Sequence, residues 1–271
     1  MKIFIDSAKL NEIEEAYSYG IADGVTTNPS LIKKAVDSLK KEGKKIDITS
    51  YIKQILKTAQ GDPVSLEVTE LTYEGMVKQG KALFKKFNPV AKNVYIKVPV
   101  NPAFDKEPSM DGIKAIKALS KSKIPVNCTL IFTPEQALLA AKAGAKIVSP
   151  FAGRIDDFIR TQNKIPFDKT EYFSEEGVET KNGTLSDNGI VSGIDLVEQI
   201  VDIMRIYDLD TEVIAASIRN TRQAREAALV GADIATLPFD IIKELLVHPK
   251  TQEGMKMFTK DIVPEYINMI K

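Results

Sequence analysis

Val94-Tyr95-Ile96-Lys97-Val98 is a short apolar run with a single charge inside it. Side chains in a strand alternate between two faces, so Tyr95 and Lys97 point one way while Val94, Ile96 and Val98 point the other. Val64-Ser65-Leu66-Glu67-Val68-Thr69 repeats the arrangement, with Ser65, Glu67 and Thr69 set against Val64, Leu66 and Val68. A parallel strand covered by helices needs its outer face apolar, so in a closed barrel the polar set must point inward.

Working outward, runs of the same kind occur at Lys2–Asp6, Gly24–Thr27, Val64–Thr69, Val94–Val98, Val126–Ile131, Lys146–Ser149, Glu212–Ser217 and Ile234–Leu237. Stretches with helical spacing lie between and after them: Asn11–Tyr19, Ser30–Ser38, Tyr73–Phe87, Asp111–Ser120, Pro134–Ala143, Ile194–Ile206, Thr221–Val230 and Phe239–Val247. Alternating β and α elements with short joints give parallel strands and right-handed crossovers, and eight units close a barrel. The expectation is an α/β chain forming a single (β/α)₈ TIM barrel over residues 1–271, with a rim excursion after strand 6 and a C-terminal helical tail. The rival is a doubly wound open sheet. Polar strand ends in nearly every unit favour the barrel, and no Gly-x-Gly-x-x-Gly follows the first strand.

The excursion is Asp157–Ser192, rich in Lys, Glu, Asp, Asn and Gly with little apolar periodicity. It reads as a solvated loop, or as a lid or subunit contact. A second irregular loop, Asn101–Ser109, carries Pro102 and Pro108. In the tail Thr251–Lys271, Met255, Phe258, Ile262 and Ile267 recur near helical spacing, with Pro264 expected to kink the helix; docking on this barrel or on a neighbour is expected.

Composition narrows the chemistry. The 271 residues carry 37 Lys+Arg and 37 Asp+Glu, a net charge of zero, which speaks against nucleic acid as a partner. One cysteine, Cys128, precludes an intramolecular disulfide, and one histidine, His248, precludes metal sites built from several His or Cys ligands. Carboxylate-bound magnesium survives that filter. The opening Met1-Lys2-Ile3-Phe4-Ile5-Asp6 is too soon polar for a signal peptide, and no apolar run of about 20 residues follows. A soluble cytoplasmic protein with no membrane partner is expected.

The alternation argument sends Asp6, Glu67, Lys97, Asn127 with Thr129, Ser149 and Ser217 into the barrel near its C-terminal mouth, and turns Cys128 toward the helices. A lysine in such a strand loses ammonium solvation, which favours the neutral, nucleophilic amine that forms Schiff bases with carbonyl substrates. The bland alternative is a strand-end lysine that reaches water or pairs with Glu67 or Asp6. Two carboxylates and a hydroxyl on the same lining can move protons through carbinolamine formation and dehydration, and that reaction needs neither metal nor organic cofactor. Arg154 and Arg219 follow strand ends, where guanidinium forks grip phosphate, although a lone rim arginine is often only a surface charge.

These residues fall in segments that resemble the transaldolases: Phe4-Ile5-Asp6-Ser7-Ala8, Gly24-Val25-Thr26-Thr27-Asn28-Pro29-Ser30, Val64-Ser65-Leu66-Glu67-Val68, Ile96-Lys97-Val98-Pro99, Asn127-Cys128-Thr129-Leu130-Ile131-Phe132, Ser149-Pro150-Phe151-Ala152-Gly153-Arg154 and Ala216-Ser217-Ile218-Arg219-Asn220. The resemblance implies transfer of a dihydroxyacetone unit from sedoheptulose 7-phosphate or fructose 6-phosphate to an aldose phosphate, as in the pentose phosphate pathway. Lys97 would be the Schiff-base nucleophile, Asp6 the acid/base on the sugar hydroxyl, and Glu67 with Thr129 a proton relay through water. Asn28, Asn127 and Ser149 would bind the donor's hydroxyls, and Arg154, Ser217 and Arg219 its phosphate. Glu67 and Phe151 resemble the transaldolases proper, whereas the related fructose-6-phosphate aldolases typically have glutamine and tyrosine there. The resemblance also implies a homo-oligomer. A lyase that releases free dihydroxyacetone, and an inactive sugar-phosphate-binding barrel, are the competing readings.

Overall fold

The strand-end polarity read above is realised in a closed barrel. The computed structural model describes residues 1–43, 45–104, 107 and 109–269. Its strands are β1 (Lys2–Asp6), β2 (Gly24–Thr26), β3 (Val64–Glu67), β4 (Val94–Pro99), β5 (Val126–Ile131), β6 (Ile147–Pro150), β7 (Glu179–Thr180), β8 (Gly183–Thr184), β9 (Glu212–Ala215) and β10 (Ile234–Leu237). The helices are α1 (Leu10–Ser18), α2 (Pro29–Lys41), α3 (Ile48–Thr58), α4 (Tyr73–Ala91), α5 (Asp111–Lys121), α6 (Pro134–Ala143), α7 (Ala152–Gln162), α8 (Gly193–Ile206), α9 (Thr221–Leu229), α10 (Phe239–Glu244), α11 (Pro249–Lys260) and α12 (Pro264–Asn268). Eight strands, β1 to β6 with β9 and β10, form the barrel in chain order, and β10 closes on β1 in parallel. The remaining two make a small antiparallel hairpin.

Register carries the site. Asp6 lies opposite Thr26, Glu67 opposite Lys97, and Lys97 opposite Asn127, so the inward polar side chains of neighbouring strands stand abreast. One layer deeper, Phe4, Ile147, Ile214 and Ile234 fill the barrel and form an apolar floor beneath the polar mouth. The outward faces, including Ile5, Val64, Ile96, Val98 and Cys128, pack under the helices in a separate core. Fully burying a side chain such as Ile96 contributes about 1.5–3 kcal/mol. Burial also pushes the Cys128 thiol well above its ordinary value, as expected of a structural cysteine. In β5 the pairing with β6 slips between Cys128 and Ile131, where Leu130 takes φ 58°, so Ile131 turns into the outer core.

Polar caps begin five of the helices at this end of the barrel. Asn28, Thr72, Thr133, Ser192 and Asn220 each accept a backbone N–H of the turn that follows, which satisfies donors left free at a helix start.

The structure corrects several boundaries. Two helices separate β2 from β3, and the second, α3, was not among the expected elements; the cap Asp47 starts it by accepting from Thr49 and Ser50. The excursion begins later than Asp157, because α7 follows β6 directly and runs to Gln162. Strand β3 stops at Glu67, since Gln79 Oε1 accepts the N–H groups of both Thr69 and Glu70 and turns the chain away. Strand β9 stops at Ala215, just before Ser217 adopts φ 61°. In the Asn101–Ser109 loop, Asn101 Oδ1 accepts from Ala103 and Ser109; Pro108 lies outside the described residues. Pro264 starts α12 rather than kinking a continuous helix, and no described residue of α11 or α12 is buried, so the tail does not dock on its own barrel.

Candidate active site

Lys97 enters the mouth from β4 and is 5% exposed. Its ammonium lies 3.3 Å from Glu67 Oε2 and donates to the Thr27 carbonyl oxygen at 3.4 Å. An ammonium this buried needs such partners, because desolvation without compensation is costly. The Phe151 ring closes one side, with its centroid 5.9 Å from Lys97 Nζ and 4.9 Å from the Arg154 guanidinium carbon.

Asp6 faces Lys97 across a cavity of about 100 Å³ lined by Asp6, Thr26, Asn28, Lys97, Ser149, Phe151, Arg154, Ala216, Ser217 and Thr236. Thr26 Oγ1 donates to Asp6 Oδ1 at 2.7 Å. Thr236 Oγ1 lies 2.5 Å from Thr26 Oγ1 and must supply the proton of that contact, since the Thr26 hydrogen is already committed to Asp6. Burial pushes the Asp6 carboxyl above the usual carboxylate range, while the Thr26 hydroxyl and the Lys97 ammonium pull the other way. The result is a carboxylate more basic than usual, suited to taking a hydroxyl proton.

The opposite wall is a hydrogen-bonded row. Ser149 Oγ donates to Asn127 Oδ1 at 2.6 Å, and Asn127 Nδ2 donates to Ser65 Oγ at 3.1 Å. Asn127 is thus wholly buried and engaged within the protein, outside the cavity lining. Thr129 Oγ1 is buried with no partner, an unused donor and acceptor on the same strand. Asn28 gives its Oδ1 to the Leu31 N–H, which leaves Nδ2 for the cavity it lines.

The two arginines diverge. Arg154 lines the mouth, and its guanidinium makes no hydrogen bond or ion pair among the described residues. Arg219 instead donates from Nη2 to Asp157 Oδ2 at 2.7 Å and from Nη1 to the Lys169 carbonyl at 3.1 Å, with Nε 3.5 Å from Ser217 Oγ. Both arginines border an adjoining open cavity of about 430 Å³ together with Asp157, Phe158, Thr161 and Lys169. A larger groove, about 680 Å³ between α1, α2 and α3, gathers no comparable chemistry. Among the described residues, no three His, Cys, Asp or Glu side chains converge as metal ligands, and no helix is long and apolar enough to cross a membrane.

Thr26, Thr236 and Asp157 were missed from sequence. The first two carried a usable signal, because Gly24-Val25-Thr26 and Ile234-Ala235-Thr236 follow the same inward alternation as β3 and β4. Asp157 carried none, since its role depends on where Arg219 turns.

Comparison with known proteins fits this geometry. The profile of one family, Transaldolase/Fructose-6-phosphate aldolase, matches residues 3–269. The chain is 42% identical over 261 residues to the "Probable transaldolase" of Desulfosudis oleivorans, covering 96% of this chain and 97% of that one. It is 40% identical over 261 residues to proteins of the same description from Aquifex aeolicus (96% of each chain) and Thermoplasma acidophilum (96% of this chain, 95% of the other).

Proposed function

The chain belongs to the transaldolase/fructose-6-phosphate aldolase family and is an enzyme that transfers aldehyde or ketone residues, and from that premise we propose that it moves a dihydroxyacetone unit from a ketose phosphate to an aldose phosphate through a Schiff base on Lys97. The observation that carries the reading is the buried Lys97, paired with the part-buried Glu67 at 3.3 Å and lining the same cavity as Asp6.

Lys97 loses a proton to Glu67, and its nitrogen attacks the donor's ketone carbon. The carbinolamine then loses water to give an iminium ion. Glu67 and the unpartnered Thr129 hydroxyl flank the lysine strand and are suited to relay those protons through water. Asp6 takes the proton of the hydroxyl two carbons from the iminium carbon. The bond between that hydroxyl-bearing carbon and the carbon next to the iminium, C3–C4 of the ketose, breaks; its electron pair forms the enamine, and the aldose phosphate leaves. The enamine carbon attacks the acceptor's aldehyde, Asp6 returns its proton to the new alkoxide, and hydrolysis frees Lys97. Asn28 Nδ2 and Ser149 fit the donor's hydroxyls, and Arg154, Ser217 and Arg219 its phosphate, with Phe151 closing the wall between lysine and arginine. Ketose and aldose phosphates of the pentose phosphate pathway fit this combination, and a homo-oligomer fits the exposed tail.

The test is release of glyceraldehyde 3-phosphate from fructose 6-phosphate, with and without erythrose 4-phosphate. Acceptor-dependent release is expected. Equal release without acceptor identifies a lyase, and no release with fructose 6-phosphate or sedoheptulose 7-phosphate refutes the proposal.

A further inference from the structure

Beside the mouth lies a buried polar cluster with no part in the chemistry above. Asp156, on α7, is 2% exposed and accepts at both oxygens: from Gly193 N–H at 2.7 Å and from Gln223 Nε2 at 2.6 Å. The other end of the buried Gln223 amide, Oε1, accepts the Arg219 backbone N–H at 2.8 Å. Both ends of this chain of hydrogen bonds are backbone N–H groups, which only donate. Gln223 must therefore turn its carbonyl to Arg219 and its amide nitrogen to Asp156, and Asp156 must accept twice.

Three segments meet at this cluster: the first turn of α7 with Arg154, the loop from Ala216 to Asn220, and the start of α8 where the excursion ends. They pack backbone to backbone. A Cβ on Gly153 would overlap the Ser217 carbonyl oxygen, and one on Gly193 would overlap the Ala152 carbonyl oxygen. With Ser217 also at φ 61°, the loop holds its shape only while its neighbours hold theirs.

We propose that Asp156 and Gln223 are positioning residues that set the Ser217–Arg219 loop for binding the substrate's phosphate. The proposal rests on the reading of Arg154, Ser217 and Arg219 as phosphate ligands. Neither residue touches substrate; each acts through the Arg219 backbone. Asp156→Asn turns an N–H toward the Gln223 amide nitrogen, and Gln223→Glu sets two carboxylates face to face once the pH is too high for them to share a proton, so at about pH 9, where the measurements are made, each single change breaks the chain. The double variant Asp156→Asn/Gln223→Glu restores it in the same direction: position 156 accepts from Gly193 and donates to the carboxylate at 223, which accepts from Arg219.

The experiment measures the dissociation constant for inorganic phosphate by calorimetry in the wild type, both single variants and the double variant. Alongside it, kcat and KM are taken with fructose 6-phosphate and with unphosphorylated dihydroxyacetone, and Tm for each protein. The single variants are expected to weaken phosphate binding and raise the fructose 6-phosphate KM about tenfold, with the dihydroxyacetone KM within about twofold, and the double variant to return within about threefold of wild type. Wild-type protein that binds no phosphate, unchanged phosphate affinity in the single variants, KM rises equal for both donors, or failure of the double variant to recover each overturn the proposal. If a single variant does not fold, the double variant decides by whether it folds and binds phosphate as the wild type does. Phosphate affinity that follows this pattern in an enzyme turning over no sugar phosphate would sink the reaction reading and leave the positioning intact. Transfer activity with phosphate affinity indifferent to the variants would do the reverse.

Discussion

On the proposed assignment of Arg219 to the substrate's phosphate, Asp157 is its competitor, and Asp157→Asn is expected to tighten phosphate binding. The carboxylate holds Nη2 at 2.7 Å, and the two side chains are 20% and 21% exposed. A phosphate entering the mouth must share Arg219 with that carboxylate and lie beside its charge. The asparagine amide keeps a neutral acceptor for the guanidinium and removes the charge. For a pair partly open to solvent the charge is worth about 0.2–1 kcal/mol, so the KM for fructose 6-phosphate should fall roughly 1.4- to 5-fold. The dihydroxyacetone KM should not move. Steady-state assays at low ionic strength, repeated at about 0.5 M salt, test the origin of the gain, since screening should remove most of it. A KM for fructose 6-phosphate that rises, or that falls equally for dihydroxyacetone, refutes the competition.

Arg154→Ala removes a guanidinium that lies over the Phe151 ring and makes no hydrogen bond or ion pair among the described residues, and should raise the KM for phosphorylated donors roughly 10- to 150-fold, a loss of about 1.5–3 kcal/mol, with little change for dihydroxyacetone; equal effects on both donors would remove the phosphate assignment. Lys97→Met should yield a folded protein with no turnover and no borohydride-trapped adduct with donor, as read by intact mass; retained activity would end Lys97's role as nucleophile. Burial pushes the Asp156 carboxyl up to about 7 from the usual 3.8, with Arg160 and Arg219 lowering it and Asp157 raising it. Between those values the native protein keeps a proton that the unfolded chain has released, so Asp156's contribution to stability is largest below about pH 4 and falls as pH rises to about 7, by an amount on the order of 3–4 kcal/mol. The Tm of wild type minus that of Asp156→Asn should accordingly be lower at pH 8 than at pH 5, and an unchanged difference would refute the assignment. Phe258 and Met269 in the tail are 70% and 78% exposed, and unpartnered apolar surface of this kind marks an interface. Removal of residues 249–271 should lower the number of subunits found by light scattering, whereas an unchanged number would clear the tail of that role.

The barrel was legible because alternation is a local property. Ser65, Glu67, Tyr95 and Lys97 declare their face through their immediate neighbours, and eight such runs fix the strand number. Alternation also placed Asn127 and Ser149 inward, but not the hydrogen bonds that engage them with one another. Helix α7 escaped because its charged residues from Asp157 on, Arg160 among them, were read as the start of the solvated excursion, although Arg160 is buried against other segments. The direction of Arg219 was beyond any reading of the sequence, since it depends on Asp157 and on a carbonyl 50 residues away.

Part of what holds the excursion after α7 ignores side-chain identity. Arg160 donates to the carbonyl oxygens of Glu171 and Tyr172, Arg219 to that of Lys169, and Ser192 to that of Glu175. Other anchors read particular residues: Tyr172, bonded to Glu226 and stacked under Arg222, and Phe173 and Ile190, buried in the core. Every amino acid, proline included, offers a backbone carbonyl. Positions 169 and 175 are therefore free to drift over generations while the segment stays moored, and a lineage can resculpt the rim without disturbing the barrel beneath it.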